Sequence, residues 1–273
     1  MAALDVTIET DDELLVEDRG AGVRWLTLHR PAARNALSLR LLAALGEALD
    51  DAGTDHEVRV LVIRGAGPAF CAGHDLREIR ARREDDDGGT AFFTTLMAAC
   101  AEVMQAIVHH RVPVIASVHG VATAAGAQLV ASCDLAVSAD VARFATPGVD
   151  IGLFCSTPMV ALSRNVHPKQ AMAMLLTGEM IDAAHAERIG LINRSVPEEA
   201  LDAEVTALAE RIAGKSSFTL ELGKEAFYRQ RELPLGDAYR YASEVMVTNL
   251  LAKDADEGIG AFLDKRTPQW RDR

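Results

Sequence analysis

The 273-residue sequence is short of positive charge and of cysteine. It holds 28 Lys and Arg against 40 Asp and Glu, which gives a formal net charge of -12. Because no large positive field can gather nucleic acid or an anionic membrane surface, neither is expected as a partner. The 4 cysteines lie far apart and form no CxxC pair. They are therefore predicted to be reduced thiols rather than a disulfide framework.

Sequence motifs for metal binding and for targeting are also lacking. None of the 8 histidines lies in an HExxH pattern or a spaced ligand cluster, so no metal is expected. Residues 1–12 lack the pattern of a signal peptide and the arginines of a transit peptide, so a cytoplasmic location is expected. The uncharged run 112–133 is interrupted by Pro113, Gly120 and Gln128. It is interpreted as buried core rather than a membrane span.

The hydrophobic pattern predicts an α/β protein. Runs 14–16 and 23–28 around a glycine-containing turn predict an opening hairpin, and Ser38 is suited to cap a helix that Gly53 ends. Apolar runs at 58–63, 114–118 and 135–137 predict buried strands, with a small-residue helix at 124–131. The charged stretch 80–89 is predicted to form a mobile loop, followed by a helix from about residue 91 to residue 109.

After Pro158 the pattern becomes almost entirely helical. Amphipathic patterns recur at 167–176, 183–189, 198–213, 217–229, 235–251 and 255–263. The chain is therefore divided into an α/β core over 1–193 and a helical region over 194–273. The apolar faces of the second region are predicted to join subunits.

Four segments, 30–38 (RPAARNALS), 69–76 (AFCAGHDL), 114–135 and 144–156, resemble the crotonase (enoyl-CoA hydratase/isomerase) superfamily in order and spacing. A matching ending lies at 257–265 (EGIGAFLDK). The resemblance implies a spiral of ββα units with a helical C-terminal trimerisation region, assembled as a homotrimer or hexamer. It also implies an acyl-CoA substrate and no cofactor other than the coenzyme A that the substrate carries. Segments 122–134 and 144–158 resemble one animal branch that is mitochondrial, but that location is not carried over.

Reactions of this superfamily pass through an enolate, and backbone N–H groups stabilise its negative oxygen. The resemblance places these donors at His74 and Ala125, where Gly73 and small neighbours permit tight turns. Arginine suits the phosphates of coenzyme A because its fork binds them in a bidentate manner. By resemblance, the residues expected to contact coenzyme A are Arg30, Arg34, Ala72, Asp75, Leu76 and Lys265.

The sequence departs from efficient hydratases of the superfamily, which use two glutamates as general acid and base. By resemblance these glutamates fall on Gln128 and Gly148, and an aspartate used by other members falls on Ser156. A glutamine amide can hold water but cannot take up a proton at neutral pH. Asp150 is the expected substitute acid or base, since a carboxylate beside buried apolar surface has a raised pKa.

Two functions stay open at this point. The first is an enzyme that hydrates trans-2-enoyl-CoA, with isomerisation or thioester hydrolysis as related reactions. The second is a weakly active or non-catalytic acyl-CoA-binding protein, which the residues at 128 and 148 favour. Covalent catalysis at Cys155 or Ser156 is not expected, because no nucleophile elbow surrounds them. RNA binding, known for one superfamily branch, is disfavoured by the acidic charge.

Overall fold

The computed structural model describes residues 13–272, which form two β-sheets with helices packed around them. The strands are β1 (Leu14–Asp18), β2 (Val23–Leu28), β3 (Val60–Gly65), β4 (Ala69–Cys71), β5 (Val114–Val118), β6 (Val121–Thr123), β7 (Leu135–Ala139), β8 (Arg143–Ala145), β9 (Ile181–Asp182) and β10 (Arg194–Val196). The α-helices are α1 (Leu39–Thr54), α2 (Leu76–Arg82), α3 (Thr90–His109), α4 (Ala125–Ser132), α5 (Ser156–Asn165), α6 (Pro168–Thr177), α7 (Ala183–Arg188), α8 (Leu201–Ala213), α9 (Ser217–Gln230), α10 (Leu235–Leu250) and α11 (Lys253–Leu263). The targeting expectation rests on residues 1–12, which lie outside the described residues.

From β3 to β8, consecutive strands alternate between the two sheets. The 6-stranded sheet has the order β1-β2-β3-β5-β7-β10, and the 4-stranded sheet has the order β4-β6-β8-β9. The pairs β3 and β4, β5 and β6, and β7 and β8 therefore each place one strand in either sheet before the chain enters helix. This repetition confirms the expected spiral of ββα units.

The opening hairpin and the first helix follow the sequence prediction. β1 and β2 pair antiparallel, and the hydroxyl of Ser38 accepts a hydrogen bond from the N–H of Leu41 at 3.0 Å. This cap satisfies one of the free N–H groups at the start of α1. The buried side of α1 includes Leu41, Leu45 and Leu49, which lie in the main hydrophobic core.

Among the described residues one helix, α3, is long and apolar enough to cross a membrane, with a mean hydropathy of 1.6. Its side chains Leu96, Cys100 and Ile107 are fully buried in the main core. One face of α3 therefore packs in the core. The run 112–133 forms β5, β6 and α4, in agreement with its interpretation as buried core.

The prediction of a mobile loop over 80–89 is wrong for its first part, because α2 extends to Arg82. The carboxylate of Asp75 caps this helix by accepting a hydrogen bond from the N–H of Arg77 at 3.0 Å. Farther along, the carboxylate of Asp87 accepts from the N–H groups of Gly89 and Ala91, both at 2.8 Å. Carboxylates at helix starts thus order a charged segment that buries little apolar surface.

The larger sheet continues beyond the boundary predicted at residue 193. β10 pairs parallel with β7, and α8 packs Leu201, Val205 and Ala209 in a second core cluster with Trp25 and other sheet residues. The boundary therefore falls just before the last strand of the sheet, because 194–213 supplies that strand and a covering helix. A role for the remaining C-terminal helices in joining subunits stays a prediction.

Candidate active site

The candidate site lies where three strands of the smaller sheet end. β6 pairs parallel with β4 on one side and with β8 on the other. The carboxyl ends of parallel strands meet at one edge of a sheet, which is where open α/β sheets bind ligands. The segments 72–76, 124–128 and 146–150 leave these strands and come together at this edge.

Gly73 and Ala124 bring the first two segments into contact. Gly73 has a φ of +91°, and a Cβ atom there would lie 2.9 Å from the Cβ of Ala124 and 3.4 Å from the nitrogen of Ala125. A side chain at Gly126 would overlap the carbonyl oxygen of Cys71. Glycine at 73 and 126 is thus required by the close approach of the two segments.

The backbone N–H groups of His74 and Ala125 are among those in these segments that have no acceptor. The bridge between Leu37 and His74 uses the N–H of Leu37, which donates to Gly73 at 2.7 Å, and the N–H of Asp75, which donates to Leu37 at 3.2 Å. It leaves the N–H of His74 unused. Ala125 opens α4, so its N–H has no acceptor within the helix. Within 13–272 neither group donates to a protein oxygen, and such a pair is what an oxyanion hole requires.

Three polar side chains in the same segments are buried without a hydrogen-bond partner. They are the imidazole of His74, through both of its nitrogens, the Oε1 atom of Gln128 and the hydroxyl of Thr146. Each unpaired buried group costs about 1–3 kcal/mol. Only Trp25 and Ser138 share this condition among the described residues, and both lie in the larger sheet. Three such groups at one sheet edge mark a place built for a polar ligand.

Thr146 was missed by the sequence reasoning. It follows β8 directly and is 0% exposed. It lies beside the proposed oxyanion turn because the N–H of Ala124 donates to the carbonyl of Ala145 at 2.9 Å. One sequence feature could have identified it: a hydroxyl residue at the end of an apolar strand. This residue lies in the chain between Gln128 and Gly148, which the resemblance had already singled out.

Burial determines the protonation of the groups around the turn. It lowers the pKa of His74, which favours the neutral ring at pH 7, and the backbone of Leu37 opposes this shift. Burial also raises the pKa of Cys71 to about 12. This thiol stays protonated and is not a nucleophile.

Gly148, Asp150 and Ser156 do not provide the missing acid or base. Gly148 is buried in a 3-10 turn that leaves no space for a side chain, because the Leu153 carbonyl and the Cys155 sulfur lie against it. Asp150 is exposed on the same turn, facing Gly178. Its expected burial beside apolar surface is therefore not found. Ser156 is exposed at the start of α5.

Two residues expected to bind coenzyme A are engaged inside the protein. The guanidinium of Arg30 donates to Asp75 at 2.9 Å and to the carbonyl of Ala36, and lies 3.4 Å from Glu13. Desolvation raises the pKa of Asp75, but hydrogen bonds from Arg30 and from the N–H groups at the start of α2 outweigh it and lower this pKa. This placement does not favour Arg30 and Asp75 as ligand contacts, because their charges already compensate each other.

The other expected contacts lie closer to solvent. Arg34 and Lys265 are exposed, and neither forms an ion pair with a described residue. Leu76 is 52% exposed at the start of α2. Ala72 uses its N–H toward Arg34, and its carbonyl accepts from the Thr123 hydroxyl at 3.1 Å. Within 13–272 no group of His, Cys, Asp and Glu is arranged to hold a metal.

A cavity of about 640 Å³ opens beside α4, and Gln128 contributes to its wall. Apolar side chains from α3 and α5, including Met104, Val108 and Val160, line it together with polar groups. Its volume is in the range of small-molecule pockets. Among the residues of segments 72–76, 124–128 and 146–150, Gln128 is the one that lines this cavity.

Comparison with known proteins shows close relatives over nearly the whole chain. The enoyl-CoA hydratase domain-containing protein 3 of Rattus norvegicus, named as mitochondrial, is 46% identical over 96% of this chain and 86% of its own length. The crystal structure of an enoyl-CoA hydratase of Mycobacterium smegmatis is 49% identical over 95% of this chain and 99% of that one, with a TM-score of 0.91. The structure of human enoyl-CoA hydratase domain-containing protein 3 is 44% identical over 95% of this chain and all of that one, with a TM-score of 0.90.

The expectation of a cytoplasmic location is wrong in the light of these relatives. The animal proteins that share 44–47% identity with this chain are all named as mitochondrial. The expectation rested on residues 1–12 alone, and the relatives point to a mitochondrial location instead. The narrower resemblance to this animal branch is confirmed.

The family assignment rests on a match over almost the full chain. The family model described as enoyl-CoA hydratase/isomerase matches residues 18–273. This range includes all of the segments that form the sheet edge, and the structural relatives share the same spiral fold. The chain belongs to the enoyl-CoA hydratase/isomerase family, the crotonase superfamily.

Proposed function

We propose that this protein adds water to trans-2-enoyl-CoA thioesters. In this reaction the thioester oxygen gains negative charge as water attacks the double bond, and the N–H groups of His74 and Ala125 stabilise it. The observation that carries the proposal is the pair of unused N–H groups on two segments in contact across Gly73 and Ala124. Removal of one such donor typically costs about 100-fold or more in rate.

The surroundings of the turn support an acyl-CoA ligand. The cavity beside Gln128 offers apolar wall for an acyl chain. Arg34 is an exposed cation next to Ala72, whose N–H donates to the Arg34 carbonyl at 3.0 Å. We assign Arg34 as a ligand of one coenzyme A phosphate. We assign Lys265 as a second coenzyme A contact, which is complete only when the subunits assemble. The neutral imidazole of His74 and the amide of Gln128 lie near the turn. Water can therefore approach the substrate there without meeting a fixed negative charge.

A second candidate function is acyl-CoA binding with little or no turnover. The observation in its favour is that Gly148 has neither a side chain nor space for one. A protein of this kind keeps the thioester pocket but lacks efficient proton transfer. Isomerisation and thioester hydrolysis use the same oxyanion hole and are alternative reactions of the same pocket.

The test combines turnover and binding. Purified protein is mixed with crotonyl-CoA, and loss of the enoyl-thioester absorbance is followed; titration calorimetry with butyryl-CoA measures binding separately. We expect hydration above the uncatalysed rate, and a fall of about 100-fold or more in Ala125→Val, where added bulk blocks the approach of the thioester oxygen.

Ala203→Val serves as the matched control. Ala203 is exposed on α8, which covers the larger sheet, so this variant is expected to keep wild-type turnover. Thermal unfolding of both variants verifies that they fold. Tight butyryl-CoA binding without any hydration of crotonyl-CoA would overturn the hydratase proposal and favour the binding protein.

A further inference from the structure

We propose that the imidazole of His74 is the acid–base group of this site, and that Gln128 and Thr146 are positioning residues for the water that it activates. This inference rests on the proposed hydration of enoyl thioesters and deepens it. The role is separate from that of the His74 backbone N–H, which stabilises the oxyanion.

The three side chains are carried by segments whose backbones meet at Ala124. Gly73, which precedes His74, would bring a Cβ atom to 2.9 Å from Ala124. The N–H of Gln128 donates to the carbonyl of Ala124 at 3.0 Å, and the N–H of Ala124 donates to Ala145, the residue before Thr146, at 2.9 Å. Each side chain is thus anchored by backbone that touches residue 124.

The three groups are also chemically complementary to water. Gln128 presents an unpaired carbonyl oxygen that accepts a hydrogen bond, and the Thr146 hydroxyl donates or accepts one. His74 offers a nitrogen that accepts and a nitrogen that donates. A water molecule that hydrogen-bonds with these groups would satisfy polar atoms that are buried and unpaired in the free protein.

His74 is the ionisable member of this set. Charged groups on the adjoining segments are Arg30 and Arg34 before α1, Asp75 at the cap of α2, and the exposed Asp150 after β8. On α2 they are Glu78 and the exposed Arg77, Arg80 and Arg82. Asp75 is paired with Arg30. On α4 there is no charged residue. Burial is the main influence on the ring, and it keeps His74 in the neutral form that a general base needs.

One imidazole is sufficient for the proton balance. A nitrogen of His74 takes a proton from water while the water oxygen forms a bond to C3 of the enoyl thioester. The electron pair of the C2–C3 double bond moves to the thioester oxygen, where the two N–H groups hold the enolate. His74 then returns the proton to C2, which forms the C–H bond and restores the thioester carbonyl. The sum is addition of one water molecule across the double bond, with His74 regenerated.

The first test is His74→Gln, which keeps the backbone N–H and a hydrogen-bonding side chain but cannot transfer a proton. We expect kcat for crotonyl-CoA hydration to fall about 100- to 10,000-fold, with butyryl-CoA affinity nearly unchanged. In the wild type, kcat/KM should fall as the pH drops through the pKa of His74, because the protonated ring cannot accept a proton. This acidic limb should disappear in His74→Gln.

His56→Gln is the matched control, since His56 is exposed beyond the far end of α1. The 16-residue α1 is roughly 24 Å long, which separates the two histidines. This variant should retain the wild-type rate and pH profile. Wild-type kcat and an unchanged acidic limb in His74→Gln would overturn the assignment of His74.

Thr146→Val tests the water site without removing the base. The hydroxyl has no partner in the free protein, so its loss should leave the unfolding temperature unchanged or raise it. We expect kcat to fall about tenfold or more as the water loses a contact. A fall in both stability and rate would indicate a structural role and overturn the assignment of Thr146 as a positioning residue.

The outcomes separate this inference from the proposed function. If the wild type binds butyryl-CoA but does not hydrate crotonyl-CoA, the proposed function fails, and the role of His74 is then decided by exchange of the C2 protons of bound butyryl-CoA with D2O. Exchange that is lost in His74→Gln and kept in His56→Gln supports His74 as a base. Equal exchange, or its absence, in the wild type and His74→Gln overturns it.

Discussion

A Cβ atom on Gly148 would lie 2.5 Å from the carbonyl oxygen of Leu153. The same atom would lie 2.9 Å from the sulfur of Cys155. The turn after β8 thus leaves no space for a side chain at position 148, where related hydratases are expected to carry a glutamate. A glutamate at this position would therefore require the backbone of Leu153 and the side chain of Cys155 to shift.

Gly148→Glu is therefore predicted to destabilise the protein without raising hydration. Overpacking at a buried site typically costs about 1–3 kcal/mol, which denaturant unfolding measures. Gly223→Ala is the control, since a Cβ atom at this helical position meets nothing within 4 Å. It should be neutral or stabilising. A Gly148→Glu variant with wild-type stability and a higher rate would contradict this prediction.

Gln128→Glu, in contrast, is predicted to raise the hydration rate. Gln128 is already buried beside the turn with its oxygen unpaired, so a carboxyl group of nearly the same shape fits there and adds a group that transfers protons. A single positioned acid or base contributes about 100- to 10,000-fold when it is well aligned. Initial rates with crotonyl-CoA measure the effect, and Gln170→Glu on the exposed side of α6 is the control. An unchanged rate would show that position 128 does not face the reacting atoms.

Lys224 and Asp134 are predicted to hold α9 against the core. The buried ammonium of Lys224 lies 2.7 Å from Asp134 and donates to two backbone carbonyls, and the Tyr228 hydroxyl donates to the same carboxylate at 2.9 Å. Asp134→Asn leaves the ammonium buried without its counterion, so we expect a loss of about 3–5 kcal/mol. The double variant with Lys224→Met should recover part of it. Strictly additive effects of Asp134→Asn and of Lys224→Met alone in the double variant would exclude this coupling.

His110 is predicted to make stability fall at mildly acidic pH. Its Nε2 atom lies 3.0 Å from the carbonyl of Leu49, and its Nδ1 atom accepts from the N–H of Val112 at 3.2 Å. Burial lowers its pKa below 6.5 in the folded state. The unfolded chain takes up this proton first, so stability is present above pH 6.5 and is lost as the pH falls below it.

The slope from one such group is at most about 1.4 kcal/mol per pH unit. Urea unfolding between pH 5 and 7.5 measures it. His110→Asn should lose this part of the slope, whereas His56→Gln should retain it. Identical slopes in the wild type and His110→Asn would show that His110 is not the responsible group.

The exposed apolar residues of the C-terminal helices are predicted to form a subunit interface. Tyr239 and Leu251 are 70% and 82% exposed, and Phe262 is 82% exposed near the end of α11. Clusters of this kind mark interaction surfaces. Light scattering should give a trimer or hexamer, and Leu251→Asp with Phe262→Asp should yield monomer. Val16→Asp on the edge strand β1 should not, and a monomeric wild type would contradict the prediction.

Local features of the fold were predictable from the sequence. The cap at Ser38, the buried strand at 114–118 and the helix from about 91 to 109 depend on neighbouring residues, so spacing and residue type were sufficient. The last turn of α2, which extends into 80–89, was missed because carboxylate caps rather than apolar surface stabilise this segment.

The site depends on contacts that no local pattern contains. His74 and Ala125 were named by resemblance, and their free N–H groups became visible only when two segments far apart in the chain met at Gly73. Thr146 escaped attention because one hydroxyl in an apolar segment has no periodic signal. Asp150 was placed beside buried surface because sequence does not tell which side of a short turn faces water.

The longest buried strands and the segments that carry the candidate chemistry belong to different sheets. The long, fully buried β2 and β5 belong to the larger sheet, whereas the groups around the turn follow strands of 3 residues in the smaller one. Substitutions in the segments after β4, β6 and β8 can alter which proton moves and leave most of the core untouched. Residues such as His74, Gln128 and Thr146 can therefore change without a change in the strands that form the larger sheet.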